Sequence, residues 1–170
     1  QTRVMMWQVP RFVDRWRYKA GVVENVAEVR KWQDYDAWFK AMHGLGYRSQ
    51  TLWLNAMFFH QLNGVHNSMA PAQSRDRWFT VFVRKDLPFP KLNFQPLGPC
   101  QTCGKDVRSI QSFKDGHPKP YGNKYGTHGQ YWYLCPHCRN IVHPYYVPAS
   151  TVINWDHPIY QVGDPNRRQQ

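Results

Sequence analysis

The sequence has few acidic residues and no long hydrophobic run. Its apolar stretches extend over only a few residues, whereas a membrane-spanning helix needs about 20. We therefore predict no membrane segment and no membrane partner. Asp and Glu total 11 against 22 Lys and Arg, which gives a net charge of +11. This imbalance favours a polyanion such as nucleic acid as the partner, with a basic enzyme of another kind as the alternative.

We also expect no secretion leader, because no charged and then apolar segment opens the sequence. We expect a cytoplasmic protein. The chain starts at Gln1 rather than Met and ends in a polar tail. We therefore expect it to be a piece of a longer protein. We also expect a monomer.

Cysteine is scarce, and its four occurrences form two pairs, Cys100/Cys103 and Cys135/Cys138. A disulfide scaffold has a higher cysteine density and needs an oxidising compartment. Two CxxC turns separated by 31 residues instead favour one tetrahedral Zn²⁺ site with four thiolate ligands. The nearby His137 and His143 are not needed for such a site.

Hydrophobic spacing predicts an α/β segment followed by a smaller β-rich module. The predicted elements are a helix near Pro10, a buried strand over 20–23 in a parallel sheet, a helix from Asp34 or Asp36 to Gly44, and strands over 47–55 and 77–83. Four prolines over 86–99 indicate a linker. The four-cysteine module then occupies 100–145, and we expect it to resemble a zinc ribbon.

Two polar groups lie at predicted strand ends. Glu24 follows the 20–23 strand, at the edge where open α/β sheets place their ligands. A carboxyl group shielded there can serve as a general acid, although a solvent-facing Glu is the simpler interpretation. Arg75 and Arg77 are two positions apart in extended chain, so we expect them to point the same way, as a fork for phosphate or a base edge.

The dipeptide Pro99-Cys100 is the nucleophile motif of base-modifying methyltransferases. Here its cysteine is also the first member of a CxxC pair. A thiolate bound to zinc is not free to attack a substrate, so we assign Cys100 to the metal.

Three short motifs together resemble the middle of a DNA cytosine-5 methyltransferase. They are Glu24-Asn25-Val26, Leu54-Asn55-Ala56 and Gln73-Ser74-Arg75-Asp76-Arg77, in the family's order of ENV, LNA-like strand end and QxRxR. The resemblance implies a partial Rossmann-like methyltransferase sheet. It divides the chain into the C-terminal half of the catalytic core over 1–85, a target recognition region with the four-cysteine zinc module over 86–146, and a segment returning to the catalytic core over 147–170.

The resemblance also implies roles for individual residues. Glu24 holds and protonates ring nitrogen 3 of a cytosine flipped out of double-stranded DNA, and Asn25 supports that loop. Arg77 binds the cytosine carbonyl oxygen, and Arg75 supports the active-site loop and the backbone phosphate. The methyl donor is S-adenosylmethionine.

Other family features are not found in this sequence. It has neither the Gly-rich cofactor motif nor a Pro-Cys nucleophile before ENV, so we expect both upstream and expect the piece alone to be inactive. From the compact style of the motifs we expect an enzyme of a bacterium or bacteriophage, of the restriction-modification kind, located in the cytoplasm of the bacterial cell. For DNA contacts we predict Gln73, Lys114, Lys119 and Lys124.

Two other functions remain open. A zinc-ribbon DNA-binding module without catalysis accounts for the charge and the cysteines, but not for ENV and QSRDR in order. A different S-adenosylmethionine-dependent enzyme, acting on RNA, is the second. The coding sequence before Gln1 would discriminate between them.

Overall fold

The computed structural model describes residues 2–61, 71–119 and 123–156. Two α-helices and eight strands follow one another along this part of the chain. The helices are α1 (Gln8–Trp16) and α2 (Tyr35–Gly44), and the strands are β1 (Ala20–Val26), β2 (Tyr47–Asn55), β3 (Asp76–Arg84), β4 (Leu97–Cys100), β5 (Lys105–Arg108), β6 (Ile110–Phe113), β7 (Tyr131–Leu134) and β8 (Ile141–Val142). Short 3₁₀ helices cover Thr2–Trp7, Ala27–Lys31, Ala56–Gln61 and Ala149–Thr151.

The main sheet has the order β1-β3-β2, and β3 is antiparallel to both neighbours. β1 and β2 run in the same direction but do not touch. The prediction that the 20–23 strand is buried in a parallel sheet is therefore wrong for the described residues. β1 has only one described neighbour, and its residues alternate between exposed and half-buried. Valine content and shortness indicate a strand but do not distinguish an edge strand from a central one.

One face of this sheet forms the main core. Trp78, Thr80 and Phe82 alternate along β3 on that face and are all buried. α2 covers them with Trp38 and Met42, which are four residues apart and so lie on the same side of the helix. The strands predicted over 47–55 and 77–83 and the predicted second helix are thus confirmed.

A glycine after α2 and a proline in the first turn of α1 both occupy positions that suit their backbones. Gly46, just after α2, has a φ of +93°, a left-handed conformation that favours glycine. Pro10 lies in the first turn of α1, where the missing N–H has no partner to lose. Pro10 and Val13 are buried, whereas Phe12 and Trp16 are exposed on the other side of α1.

The second half of the chain contains two small antiparallel sheets, β4-β5 and β6-β7-β8. Tyr131 and Tyr133 of β7 belong to the same buried cluster as Trp78, so the inner side of this half joins the main core. A separate small cluster contains Cys100, Val107, Cys135 and Val142. We call the segment that carries it, residues 97–108 and 135–142, the cysteine tip.

The described residues therefore form a mixed α/β structure with small antiparallel sheets. A Rossmann-like parallel sheet is not found among them. Within the predicted linker over 86–99, residues 88–96 have no regular secondary structure, residues 97–99 belong to β4, and Phe94 packs against the main core. None of the described helices has the length and apolar character needed to cross a membrane.

Candidate functional site

The register of β1 and β3 brings Glu24 and Arg77 together. Val26 lies opposite Arg77 and Glu24 lies opposite Phe79, so Glu24 and Arg77 are diagonal neighbours on the same face of the sheet. Arg77 Nε is 2.6 Å from Glu24 Oε1, and Arg77 Nη1 also donates to the Asp76 carbonyl oxygen at 2.9 Å. Two motifs far apart in sequence thus meet in one ion pair.

The two partners are not equally shielded. The Arg77 side chain is 15% exposed, but the Glu24 side chain is 50% exposed. The sequence had suggested that Glu24 lies at the end of its strand. β1 instead continues to Val26, so Glu24 lies within the strand. Val22 and Val26 flank it on the same face and are also exposed. The site is therefore an open apolar surface with a charge pair at its centre.

Asn25 and Arg75 are placed differently from Glu24 and Arg77. Asn25 points to the opposite face, where its Nδ2 contacts Met6 Sδ at 3.4 Å and its Oδ1 accepts from the Val26 amide. Arg75 precedes β3, and its side chain is exposed. The predicted arginine fork is thus not formed by two residues of one strand. Gln73 is exposed as well.

Asn55 ties the end of β2 to the QSRDR segment. Its side chain is fully buried. Oδ1 accepts from the amides of Met57 and Arg75 at 3.1 and 3.0 Å, and Nδ2 donates to Ser74 Oγ at 3.0 Å. The LNA-like strand end therefore orders the chain immediately before Arg77.

An interaction that the sequence reasoning missed lies at Asp76. Its Oδ1 accepts from the Tyr125 amide and from the Tyr131 hydroxyl, each at 3.0 Å. Burial raises the pKa of the Asp76 carboxyl, and these hydrogen bonds oppose the rise. Burial also raises the pKa of Tyr131, so its hydroxyl stays protonated and can donate. The sequence alone suggests only that the Asp76 carboxylate partly neutralises the charges of Arg75 and Arg77.

Around Asp76 the two halves of the chain share an aromatic junction of Phe58, Tyr125, Tyr131 and Tyr133. Phe58 contacts Tyr125 and Tyr133 with ring centroids 4.9 and 5.4 Å apart. The three consecutive aromatics over 131–133 were the available signal, since in a strand the first and third of them share a face. Tyr133 is fully buried.

The three lysines predicted to contact DNA all have partners within the chain. Lys114 donates to the Thr127 carbonyl at 2.7 Å and lies over the Trp132 ring. Lys119 is 3.4 Å from Asp115, and Lys124 is 3.9 Å from Glu28. All three remain exposed. Exposed ion pairs of this kind are weak, so their charge stays accessible to a phosphate.

The four cysteines are brought together as predicted. Their sulfur atoms all lie within 4.8 Å of one another. Cys100 and Cys138 are 3.5 Å apart at sulfur, and Cys103 and Cys135 are 3.7 Å apart. Four metal–sulfur bonds of about 2.3 Å in a tetrahedron require sulfur separations of about 3.8 Å. The cluster can therefore hold a metal ion such as zinc.

The two CxxC turns have matching backbones. Gly104 and Arg139, each directly after the second cysteine of its pair, both have a φ of +64°. The amides of Cys103 and His137 donate to the Cys100 and Cys135 sulfurs at 3.4 Å. Asn140 Nδ2 donates to Thr102 Oγ1 at 2.7 Å and joins the turns. Such amide donors favour thiolate and orient metal ligands.

The thiols differ in proton affinity. Burial acts to raise the pKa of Cys135. Hydrogen bonds from the Cys138 and His137 amides and from the Cys100 and Cys138 thiols outweigh it and lower the pKa to about 6. Contacts with the Cys138 and Cys100 sulfurs raise the pKa of Cys103 to about 12. Metal binding at neutral pH must therefore displace at least the Cys103 proton.

No protein-family model matches this chain, and no curated protein matches its sequence.

Proposed function

We propose that this chain is the central and carboxyl-terminal part of a DNA cytosine-5 methyltransferase. Such an enzyme transfers a methyl group to carbon 5 of a cytosine flipped out of double-stranded DNA. The observation that carries this proposal is the meeting of Glu24 and Arg77 on one sheet face. Two short motifs in the family's order become one site only if the chain folds so that they touch.

The pair suits a cytosine ring. When it carries a proton, Glu24 can donate a hydrogen bond to ring nitrogen 3, and the permanently charged Arg77 can bind the neighbouring carbonyl oxygen. Both groups stabilise negative charge that develops on the ring when a nucleophile adds to it. Their direct contact leaves no room for a base, so binding must separate them, and the half-exposed Glu24 is the partner that moves.

S-adenosylmethionine would supply the methyl group. The sequence contains no Gly-rich cofactor motif, and we give none of the described residues a role in holding this cofactor. The four-cysteine cluster, in contrast, has the donor set and the sulfur separations of a structural Zn²⁺ site. We propose that zinc binds there and orders the cysteine tip.

The test uses the longer enzyme in which this chain is joined to its upstream coding sequence. Glu24→Gln should slow transfer of a radiolabelled methyl group to duplex DNA by about 10²–10⁴-fold, because the proton donor that it removes acts in the transition state. DNA affinity should change by less than about 3-fold. Asp14→Asn makes the same chemical change on the exposed side of α1, at the Arg17 contact, and should leave transfer nearly unchanged.

The alternative function is a zinc-ribbon DNA-binding module without catalysis, which the cysteine cluster and the net charge also support. Stoichiometric metal and tight DNA binding, with no methyl transfer by the wild-type extended enzyme, would establish this alternative. Equal loss of DNA affinity and of methyl transfer in Glu24→Gln would also count against a catalytic role for Glu24.

DNA binding by the chain itself provides a separate test. Affinity for duplex DNA should fall steeply with salt, because bound cationic side chains release counterions. Replacing Lys114, Lys119 and Lys124 together by Ala should reduce the salt slope by about 0.9 for each phosphate that the variant no longer neutralises. Lys85→Ala, at the other end of β3, is the matched control. An unchanged slope in the triple variant would show that these lysines do not contact phosphate.

A further inference from the structure

One carboxylate oxygen holds both ends of a loop. Tyr125 and Tyr131 begin and end the segment 125–131, and each donates one hydrogen bond to Asp76 Oδ1. The loop is closed within itself, because the Gly126 amide donates to the Tyr131 carbonyl at 2.9 Å and the Gln130 amide to the Lys124 carbonyl at 2.7 Å. Its shape is thus set internally. Lys114 joins it to the end of β6 through the Thr127 and Gln130 carbonyls, and Asp76 joins it to the start of β3.

The loop is too tightly folded to tolerate other residues at two positions. Gly126 has a φ of +103°. A Cβ on Gly129 would lie 2.1 Å from the Lys124 carbonyl oxygen. Thr127 and His128 between them are exposed. A small rigid loop is therefore presented to solvent from a fixed base.

The same aspartate is adjacent to the Glu24–Arg77 pair. The Asp76 carbonyl accepts from Arg77 Nη1, while the Asp76 side chain holds the loop. Lys124, just before the loop, reaches Glu28 beyond the end of β1. Hydrogen bonds and ion pairs thus connect β1, β3 and the 125–131 loop around one residue.

We propose that Asp76 is a positioning residue, which fastens both ends of the 125–131 loop to the start of β3 and so fixes that loop beside the Glu24–Arg77 pair. The clamp itself does not depend on what the protein does. Its consequence for DNA rests on the proposed function: the loop and Lys124 meet the duplex at a fixed distance from the site that receives the base.

If Asp76 is a clamp, its removal should change DNA affinity in the direction opposite to that expected from the loss of a negative charge. Asp76→Ala removes a negative charge, which by electrostatics alone should strengthen binding to a polyanion. Loss of the clamp should instead weaken binding, because the loop must be ordered when DNA binds. Asp86→Ala makes the same charge change at the far end of β3, where Asp86 pairs with Arg84 on the surface. The two variants separate positioning from charge.

The experiment measures amide hydrogen exchange and affinity for a random-sequence DNA duplex at fixed salt. In Asp76→Ala we expect exchange in 125–131 to be about ten-fold faster or more, and affinity to fall about 3–10-fold. Asp86→Ala should leave exchange in this loop unchanged and affinity equal or higher. Asp76→Asn, whose amide oxygen can accept both bonds, should restore most of the protection and affinity.

The clamp would be overturned by unchanged exchange in 125–131 in Asp76→Ala. It would equally be overturned if Asp76→Asn were as perturbed as Asp76→Ala. If Asp76→Ala does not fold, Tyr131→Phe decides: it removes one of the two bonds, and normal loop exchange in that variant rejects the proposal. Loss of loop protection in a chain whose wild type binds no DNA would support the clamp and reject the proposed function.

Discussion

The sheet core and the cysteine tip are built in opposite ways. The core around β3 buries large aromatic side chains such as Trp38 and Trp78 between a sheet and a helix. The cysteine tip buries two cysteines and two valines, Val107 and Val142. Burial contributes about 25 cal/mol for each Å² of apolar surface, so only the first region has enough buried surface to fold on it. The tip needs another bond to hold its four cysteines together, and a metal ion bound by them would provide it.

The boundary between the two regions does not coincide with a linker. Tyr131 and Tyr133 are close in sequence to the cysteine tip, yet they pack in the main core with Phe58. The target recognition region predicted over 86–146 is thus divided: its inner strands share the core, and its outer turns form the tip. An outer turn therefore needs its own source of stability even when it is joined to a well-packed neighbour.

The largest expected effect is loss of the metal site. Chelation or Cys135→Ser should unfold the cysteine tip, because structural zinc contributes on the order of 10 kcal/mol to folding of such sites. Hydrogen exchange should then be fast in 97–108 and 135–142, while β3 remains protected. Metal analysis should give one zinc per wild-type chain. Loss of β3 protection on chelation would show that the two regions are not independent.

Next in size is Trp78→Ala in the sheet core. Trp78 is fully buried and contacts Trp38, Tyr35 and Phe39, so its truncation should reduce the free energy of unfolding by about 3–5 kcal/mol. Chemical denaturation followed by circular dichroism measures this loss. Unlike metal removal, this change should destabilise β3 and the aromatic junction together. An effect confined to one of them would contradict a shared core.

A smaller effect is expected where the tip's strands pack against each other. A Cβ on Gly98 would lie 2.8 Å from Pro144 Cα and from Val142 Cγ1. Gly98→Ala should therefore cost about 1–3 kcal/mol and weaken metal retention, as competition with a chelator measures. Gly44→Ala, at a position with open space and no neighbour within 4 Å, is the control and should be neutral or slightly stabilising. Equal effects would reject the packing argument.

The smallest expected effect is a pH dependence at Asp76. Burial raises its pKa in the folded chain, so the folded state holds this proton more tightly than the unfolded state. Its contribution to stability is therefore greatest in acid and is lost as pH rises through the folded pKa. The denaturation midpoint of the wild type should be measured relative to that of Asp76→Asn. This difference should decrease as pH rises through the weakly acidic range. A difference that increases would show that hydrogen bonding to the carboxylate outweighs burial.

The sequence alone predicted much of the fold for physical reasons that act locally. Helical spacing within α2, the glycine that follows it, and alternation in 47–55 and 77–83 depend on neighbours within a few residues. The CxxC spacing predicted the cysteine cluster because a tight turn brings two thiolates to one ion. Sheet order, strand direction and the edge position of β1 depend on contacts between distant segments, and the sequence prediction failed there.

For the candidate site, residue types were predictable but their partners were not. ENV and QxRxR indicated Glu24 and Arg77, and only the β1–β3 register placed them 2.6 Å apart. Charge alone predicted the DNA contacts at Lys114, Lys119 and Lys124. In the structure each of these lysines has a partner inside the chain. Asp76 was not selected, because a carboxylate between two arginines predicts local neutralisation, whereas its partners come from a loop far along the chain.

Composition, spacing and chemical type are properties of the sequence itself, and they determined the basic charge, the thiolate donor set and the strands and helices that local periodicity specifies. The tertiary structure decided which strands are neighbours, which face Glu24 shares with Arg77 and which carboxylate holds the 125–131 loop. The reason is physical: a side chain's identity is encoded at one position, but its burial and its partners arise from non-local packing, in which the whole core lowers its free energy together.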